Sequence, residues 1–342
     1  MRGVSIKKAV VCCLLLLSVA VTALSGCAST QPRTRLFYSY FDTVCTLYGY
    51  GASAEEFERC ADATEDILSA YHALLDIYEA HDGVTNLYTV NQTATAGPIA
   101  VSEELFDFLV CAKELAHMTD GQTNIAMGAV LSLWHERREA ADLGQTATLP
   151  DPDALAEASM HTSIDDLQLD EQARTVYLAD PRMSLDVGAI AKGYVAERIA
   201  DRLYELGVEG YVIDLGGNLR AVGDKAEGTP FTAGIRDPNS ASAHVRVVSM
   251  IEGSCVTSGA YERYMTVDGV RYHHIIDPDT LYPATYFTSV TVLTEDGALA
   301  DALSTALFSM TYEEGGALLE RLGGVRAVFI TSDGEVLTFG QV

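Results

Sequence analysis

The sequence predicts a single large α+β domain, and three observations carry that prediction. Val195, Ile199, Leu203 and Leu206 recur at helical spacing and put one apolar stripe on a core. Short apolar runs such as Tyr211–Leu215, closed by Gly216 and Gly217, have the length and boundaries of buried strands. No Pro-, Gly- or Ser-rich linker divides the chain after its first residues, so these helices and strands belong to one unit.

Residues 1–26 read as a processing segment rather than as part of the fold. Arg2, Lys7 and Lys8 form a basic start, and residues 9–24 an apolar stretch of signal-peptide length, short for a spanning helix. Leu24-Ser25-Gly26-Cys27 looks like a bacterial lipobox, in which Cys27 is lipidated and becomes the first residue of the processed chain. A plain membrane anchor or an ordinary secretory cleavage site is the alternative. The expected arrangement is a lipid anchor on the extracytoplasmic face of a bacterial envelope membrane, a tether over 27–35 and the domain over 36–342.

Composition narrows the partners. The 342 residues carry a formal net charge of −26, and the leader contributes three positive charges and no acid, which leaves the remainder more acidic still. Nucleic-acid binding, which needs basic patches to displace counterions, is excluded. An anionic substrate would have to be met by local devices: a metal ion, a helix N-terminus, or isolated lysines and arginines. Cys45, Cys60, Cys111 and Cys255 lie far apart without a C-x-x-C pair, so buried free thiols are expected rather than zinc or a disulfide framework.

Taken in order, residues 43–48 alternate as a strand, and Ser53-Ala54-Glu55-Glu56 is a capping box that opens a helix running to about Tyr78. After a turn-rich piece, Ser102 caps a second helix over Glu103–Met118. Residues 120–134 join a glycine turn, with Gln122, Thr123 and Asn124, to an apolar run closed by Trp134; small and amide residues there permit close approach of a ligand, or simply pack as a loop under a core tryptophan. Residues 136–163 read as a peripheral excursion. Strands follow at 167–169 and 175–178.

The stretch 184–223 then packs Asp186, a small-residue turn with Lys192, the amphipathic helix, a strand and a second glycine turn into forty residues. Glu197, Arg198, Asp201 and Arg202 are expected on the helix's outer side, and its free backbone N–H groups could receive a phosphate. Strands are expected at 231–235 and 245–251, and a hairpin around Asp268-Gly269 leads to His273-His274-Ile275-Ile276-Asp277-Pro278. Two histidines beside an Asp in a turn suit metal ligation, acid/base chemistry or phosphate contact. Residues 297–310 are helical and mostly apolar, so Asp301 is out of place there without a reason. It shares a face with Thr305, and the pair offers oxygen ligands to a hard cation such as Mg²⁺. The alternative is a capping Asp with a back-bonding Thr. A helix over Tyr312–Leu322 and a hairpin over 327–339 close the domain.

Seven blocks in order, FDTVCTLYGYG, DGQTNIAMGAVLSLW, LDVGAIAKGYVAERIA, YVIDLGGNLRAVG, TSGAYERY, HHIIDP and ADALSTALF, resemble the ApbE family of FAD:protein FMN transferases over residues 41 to 340. The resemblance implies an ApbE-type, T-fold-like domain and an enzyme that attaches the FMN half of FAD to a threonine hydroxyl of an acceptor protein, releasing AMP. It implies Mg²⁺ held by the Ala189 carbonyl with Asp301 and Thr305, and FAD contacts at Phe41, Tyr78, Gln122, Thr123, Asn124, Asp186, Lys192 and Ile276. His274 is the candidate for proton transfer or for holding the phosphates, beside Asp301 as a catalytic group. The implied acceptor is an exported subunit of a membrane redox complex. Many relatives have Asp and Thr at Asn124 and Ala126, proline at Ala129, and a glycine-rich continuation where this chain has His135 to Arg138. Metal-dependent hydrolysis of FAD to FMN and AMP, or flavin binding without catalysis, are the alternatives.

Overall fold

The structure, a computed structural model, describes residues 31–225, 228–240 and 242–342; the leader and Cys27 lie outside them. Strands β1 (Arg33–Tyr40) and β2 (Thr43–Gly49) open the fold, followed by α1 (Ala54–Leu75), α2 (Leu87–Thr93), β3 (Ile99–Ala100) and α3 (Glu103–Met118). Next come α4 (Gly128–Asp142), α5 (Pro152–Ala158), β4 (Leu167–Asp170), β5 (Thr175–Leu178) and α6 (Ala191–Glu205). The chain continues through β6 (Tyr211–Leu215), β7 (Asn218–Val222), β8 (Phe231–Arg236), β9 (His244–Met250) and β10 (Gly253–Gly259). It ends with β11 (Tyr264–Val267), β12 (Val270–His273), β13 (Phe287–Thr294), α7 (Gly297–Ala306), α8 (Tyr312–Leu322), β14 (Arg326–Thr331) and β15 (Val336–Phe339).

Eight strands form one sheet in the order β1-β2-β6-β7-β10-β13-β14-β15, with every neighbouring pair antiparallel. Strand alternation divides its side chains between two cores. Val256, Val290, Val292, Ala327 and Phe329 pack with Ala300, Leu303 and Leu307 on the helical side. Cys255, Leu293, Val328 and Ile330 point to the opposite face, where the β8–β9 hairpin covers them with Phe231, Ile235 and Val248. The α1, α3 and α6 helices extend the helical side over β2 and β6 through Phe57, Leu68, Phe108, Val195, Ile199 and Ile213. Both faces of the sheet centre are therefore covered, which explains its near-continuous apolar strands.

Several local expectations are corrected: β1 already begins at Arg33, within the stretch read as a tether, and the turn-rich piece after the first helix contains α2, capped by the Asn86 side chain. The first helix stops at Leu75, not near Tyr78, because Asp76 Oδ1 accepts the N–H groups of Tyr78 and Glu79 and turns the chain out of the helix. The apolar run before Trp134 is the start of a helix that continues to Asp142, so the segment after the tryptophan begins as structure and not as excursion. Glu197 is not on the outer side of α6: it is only 9 % exposed, because Arg220 on β7 supplies a counter-charge at 2.6 Å. The four cysteines are free, with Cys45, Cys60 and Cys255 buried as expected. Among the described residues no helix is long and apolar enough to cross a membrane.

Candidate active site

The centre of the site is the crossing of α6 and α7. Their contact is glycine to glycine: a Cβ on Gly193 would overlap the Gly297 carbonyl, so neither helix tolerates a side chain there. That closeness lets Asp301 Oδ2 accept the backbone N–H of Gly193 at 2.8 Å. In a regular helix this N–H would reach the carbonyl four residues back, that of Ala189. Among the described residues no backbone donor meets the Ala189 carbonyl.

Asp301 is 4 % exposed, and among the described residues its second oxygen receives no donor. Burial raises its pKa, with Lys192 and the Gly193 N–H opposing the shift. The capping alternative fails, since Asp296 caps α7 by accepting from Leu299 N–H at 2.8 Å. Thr305, one turn on, is half-buried, and among the described residues its hydroxyl has no hydrogen bond, so it does not back-bond either. A buried, half-partnered carboxylate, a free hydroxyl and a free carbonyl are the donor set of a hard cation, and the residues present fit one. A grouping of three His, Asp and Glu ligand atoms lies elsewhere among the described residues, at Asp76, Glu79 and His81. There the Asp76 carboxylate is already engaged, by His81 at 2.9 Å and by two backbone N–H groups.

A second group of residues surrounds Asp186. Its N–H donates to the Ile125 carbonyl at 2.8 Å and its Oδ1 accepts from Gly188 N–H at 3.0 Å, which fixes the turn before α6. Burial raises the Asp186 pKa while Gly188, His135 and Arg138 pull it down. Tyr78, 60 % exposed, sets its ring 5.4 Å from that of His135, whose Nδ1 lies 2.9 Å from the Arg138 guanidinium. Among the described residues Arg138 has no carboxylate partner in an ion pair, and burial together with the nearby charge of Arg263 weakens its hold on its proton. Arg263 contacts the Asp42 carbonyl at 3.4 Å and itself presents a carbonyl to His274. Phe41 and Asp42 turn between β1 and β2 with φ of +52° and +51°, a left-handed pair of non-glycine residues, and the Phe41 ring meets His72 edge-on at 5.6 Å.

The two histidines divide their roles. His273 bonds the Ala284 carbonyl through Nε2 at 2.8 Å and accepts Ile275 N–H on Nδ1 at 3.2 Å, so both nitrogens are committed to the fold. His274 Nδ1 lies 3.2 Å from the Arg263 carbonyl; a carbonyl accepts, so Nδ1 carries the proton and Nε2 keeps its lone pair. Burial pushes the His274 pKa down to about 3. The ring is neutral, and Nε2 keeps a free lone pair.

Not every expected contact residue offers its side chain. Thr123 Oγ1 donates to the Ala302 carbonyl at 2.6 Å and fastens its loop to α7. Asn124 donates to the Thr162 carbonyl at 2.8 Å and accepts Ala126 N–H at 2.9 Å. Ile276 is 7 % exposed and packs with Met127, Trp134 and Met265. Gln122 differs: its Nε2 binds Asp279 at 3.0 Å, but its buried Oε1 has no partner. Lys192 is half-buried in the first turn of α6, where its charge acts on Asp301. Arg263, Glu197 and Arg220 were not legible as site residues. One signal was present, since both helices carry a glycine four residues before an acid, Gly193 with Glu197 and Gly297 with Asp301.

Fold and site define a single-domain α+β protein with an oxygen-donor centre between two crossed helices and an arginine- and histidine-lined flank. The chain belongs to the ApbE family, whose model matches residues 41–329. It is 36 % identical over 341 residues to a FAD:protein FMN transferase of Treponema pallidum, covering 94 % of this chain and 92 % of the relative. A FAD:protein FMN transferase of Klebsiella pneumoniae is 33 % identical, covering 82 % of this chain and 84 % of its own. The crystal structure of the ApbE protein from Thermotoga maritima superposes with a TM-score of 0.78 at 26 % identity, covering 90 % of this chain and 96 % of that one.

Proposed function

We propose that this chain is a metal-dependent FAD:protein FMN transferase that joins the FMN half of FAD to a threonine hydroxyl of an exported acceptor and releases AMP. The observation that carries the reading is the half-partnered, buried carboxylate of Asp301 beside the Thr305 hydroxyl, in a chain that covers 92 % of a relative with that named activity. Ala189, Asp301 and Thr305 would hold Mg²⁺, which when bound neutralises charge developing on the phosphoryl oxygens. Lys192 adds a positive charge next to Asp301. Asp186, Tyr78, Phe41 and Gln122 flank the flavin donor, and Arg138 with Arg263 answers its pyrophosphate charge.

In the step itself, the acceptor Oγ attacks the FMN phosphorus, the P–O bond to AMP breaks, and AMP departs with the bonding electrons. The hydroxyl proton moves to His274 Nε2, the lone pair left free by the bond from Nδ1 to Arg263. Lipidation of Cys27 would tether the enzyme to the extracytoplasmic face of an envelope membrane, where a membrane redox complex would present the acceptor subunit. Incubation with FAD, Mg²⁺ and a threonine-bearing acceptor tests the reading through flavin fluorescence on the acceptor and AMP release. Equal labelling and AMP support transfer. AMP without labelling replaces it with FAD hydrolysis, and neither product overturns both.

A further inference from the structure

Asp301 owes its place to a reciprocal arrangement. Asp301 on α7 accepts the N–H of Gly193 on α6 at 2.8 Å, and Glu197 on α6 accepts the N–H of Gly297 on α7 at 2.6 Å. In each helix the glycine and the acid are one turn apart, so the two helices exchange equivalent carboxylate-to-backbone bonds about their crossing. Gly297 is the first residue of α7, and its N–H is one of the donors a helix start leaves without a partner.

The two halves differ in what else reaches the carboxylate. Glu197 Oε1 is ion-paired to Arg220 Nε at 2.6 Å and lies 3.4 Å from Ser254 Oγ, and Arg220 and Ser254 are 7 % and 3 % exposed. Its charge is answered and its surroundings are closed. Among the described residues Asp301 takes only the Gly193 N–H, although burial of its charge is as complete. One half of the pair has a buried arginine as counter-charge, whereas the other has no ion-pair partner among the described residues and is left open to a ligand.

We propose that Glu197, kept in place by Arg220, is a positioning residue: by clamping the Gly297 N–H it fixes the start of α7, and with it the direction in which Asp301 presents its free oxygen. This rests on the reading of Asp301 as a metal ligand. Burying an ion pair is a weak way to gain stability, and a well-packed apolar pair of similar volume does as well. Its use here is geometric. Groups that orient a metal ligand from behind typically change metal affinity by about 10–100-fold when removed.

The test measures Mn²⁺ binding to the FAD-free protein by electron paramagnetic resonance, for wild type, D301A, E197A and E197Q, with thermal melts in parallel. The expected result is loss of binding in D301A, at least about tenfold weaker binding in E197A, and affinity within about threefold of wild type in E197Q, whose amide oxygen still accepts the Gly297 N–H. Wild-type affinity in E197A overturns the proposal. So does equal weakening in E197A and E197Q, which would mean that Glu197 acts through charge and not position. Should E197A fail to fold, the double variant E197M/R220M removes the clamp without leaving a buried charge. A wild-type melt with tenfold weaker Mn²⁺ binding supports the proposal, and unchanged binding overturns it. Unaltered binding in D301A removes the metal reading itself, a different outcome from a failure confined to Glu197.

Discussion

His273 and His274 are consecutive in the chain and hold their ring protons on opposite nitrogens: His273 donates from Nε2 to the Ala284 carbonyl and His274 from Nδ1 to the Arg263 carbonyl. The first ring has no nitrogen left, while the second has Nε2. Replacing His274 by Ala should therefore lower kcat by about 10²–10⁴ while FAD still binds, whereas His273→Ala should act through stability. Steady-state kinetics alongside a FAD titration separates the two, and an H274A variant with full kcat would remove the ring from the chemistry.

The same ring makes stability depend on pH. The unfolded chain protonates it near the ordinary histidine value of 6.5 and the folded chain only near 3, so between those values the unfolded state binds more protons. Stability is then lost as pH falls from 6.5 towards 3, by up to about 1 kcal/mol per pH unit from this residue. His273, lowered by burial as well, adds to the slope. Denaturant titrations at pH 7 and pH 5 should show a smaller difference in H274Q than in wild type. The acid limb of kcat/KM should show no inflection near 6.5 due to this group.

Asp301 should trade stability for function. Its carboxylate is raised by burial, so the ionised form is disfavoured in the fold, and D301N removes that charge while keeping an oxygen for the Gly193 N–H. Without added metal the variant is expected to be more stable by about 1–2 kcal/mol, roughly 2–5 °C in melting temperature, and to have lost transferase activity. A calorimetric scan in the presence of a chelator checks it, and a melt below wild type contradicts it.

Arg138 has a guanidinium without a carboxylate partner, placed beside His135 and weakened by burial and Arg263. If its charge is meant for the substrate phosphates, R138A should raise KM for FAD by about tenfold with a small change in kcat, and R138K should recover part of the loss. Unchanged KM in R138A would leave Arg138 as a surface-facing residue of α4.

Gly193→Ala should disrupt the core of the site. The added methyl would overlap the Gly297 carbonyl and crowd Asp301 Cβ at 2.6 Å. Destabilisation of about 1–3 kcal/mol or more is expected, with loss of metal binding in whatever folds. Gly316→Ala, where a Cβ meets nothing within 4 Å, is the control.

Much of the fold is readable from local chemistry. Ser53, Ser102 and Thr311 cap helices where Ser/Thr precede acidic first turns, and the Asp268-Gly269 and Asp333-Gly334 turns sit between paired strands. These signals depend on neighbours in sequence. The end of α1 and the extent of α4 are not legible locally, because a competing Asp76 side chain decides one and packing of Trp134 against Tyr272 and Tyr282 supports the other.

By itself the sequence determined the α+β class, most of the longer helices and strands, and the oddity of an acid at 301 inside an apolar helix, since each follows from spacing and polarity along the chain; β1 and α2 lie where it reads a tether and a turn-rich piece. Tertiary structure decided which groups remain free to act. Thr123 and Asn124 lost their side chains to backbone partners 179 and 38 residues away, and Glu197 turned inward to an arginine on β7. The physical reason is that a polar group's availability is set by what it already bonds, and those partners come from distant parts of the chain.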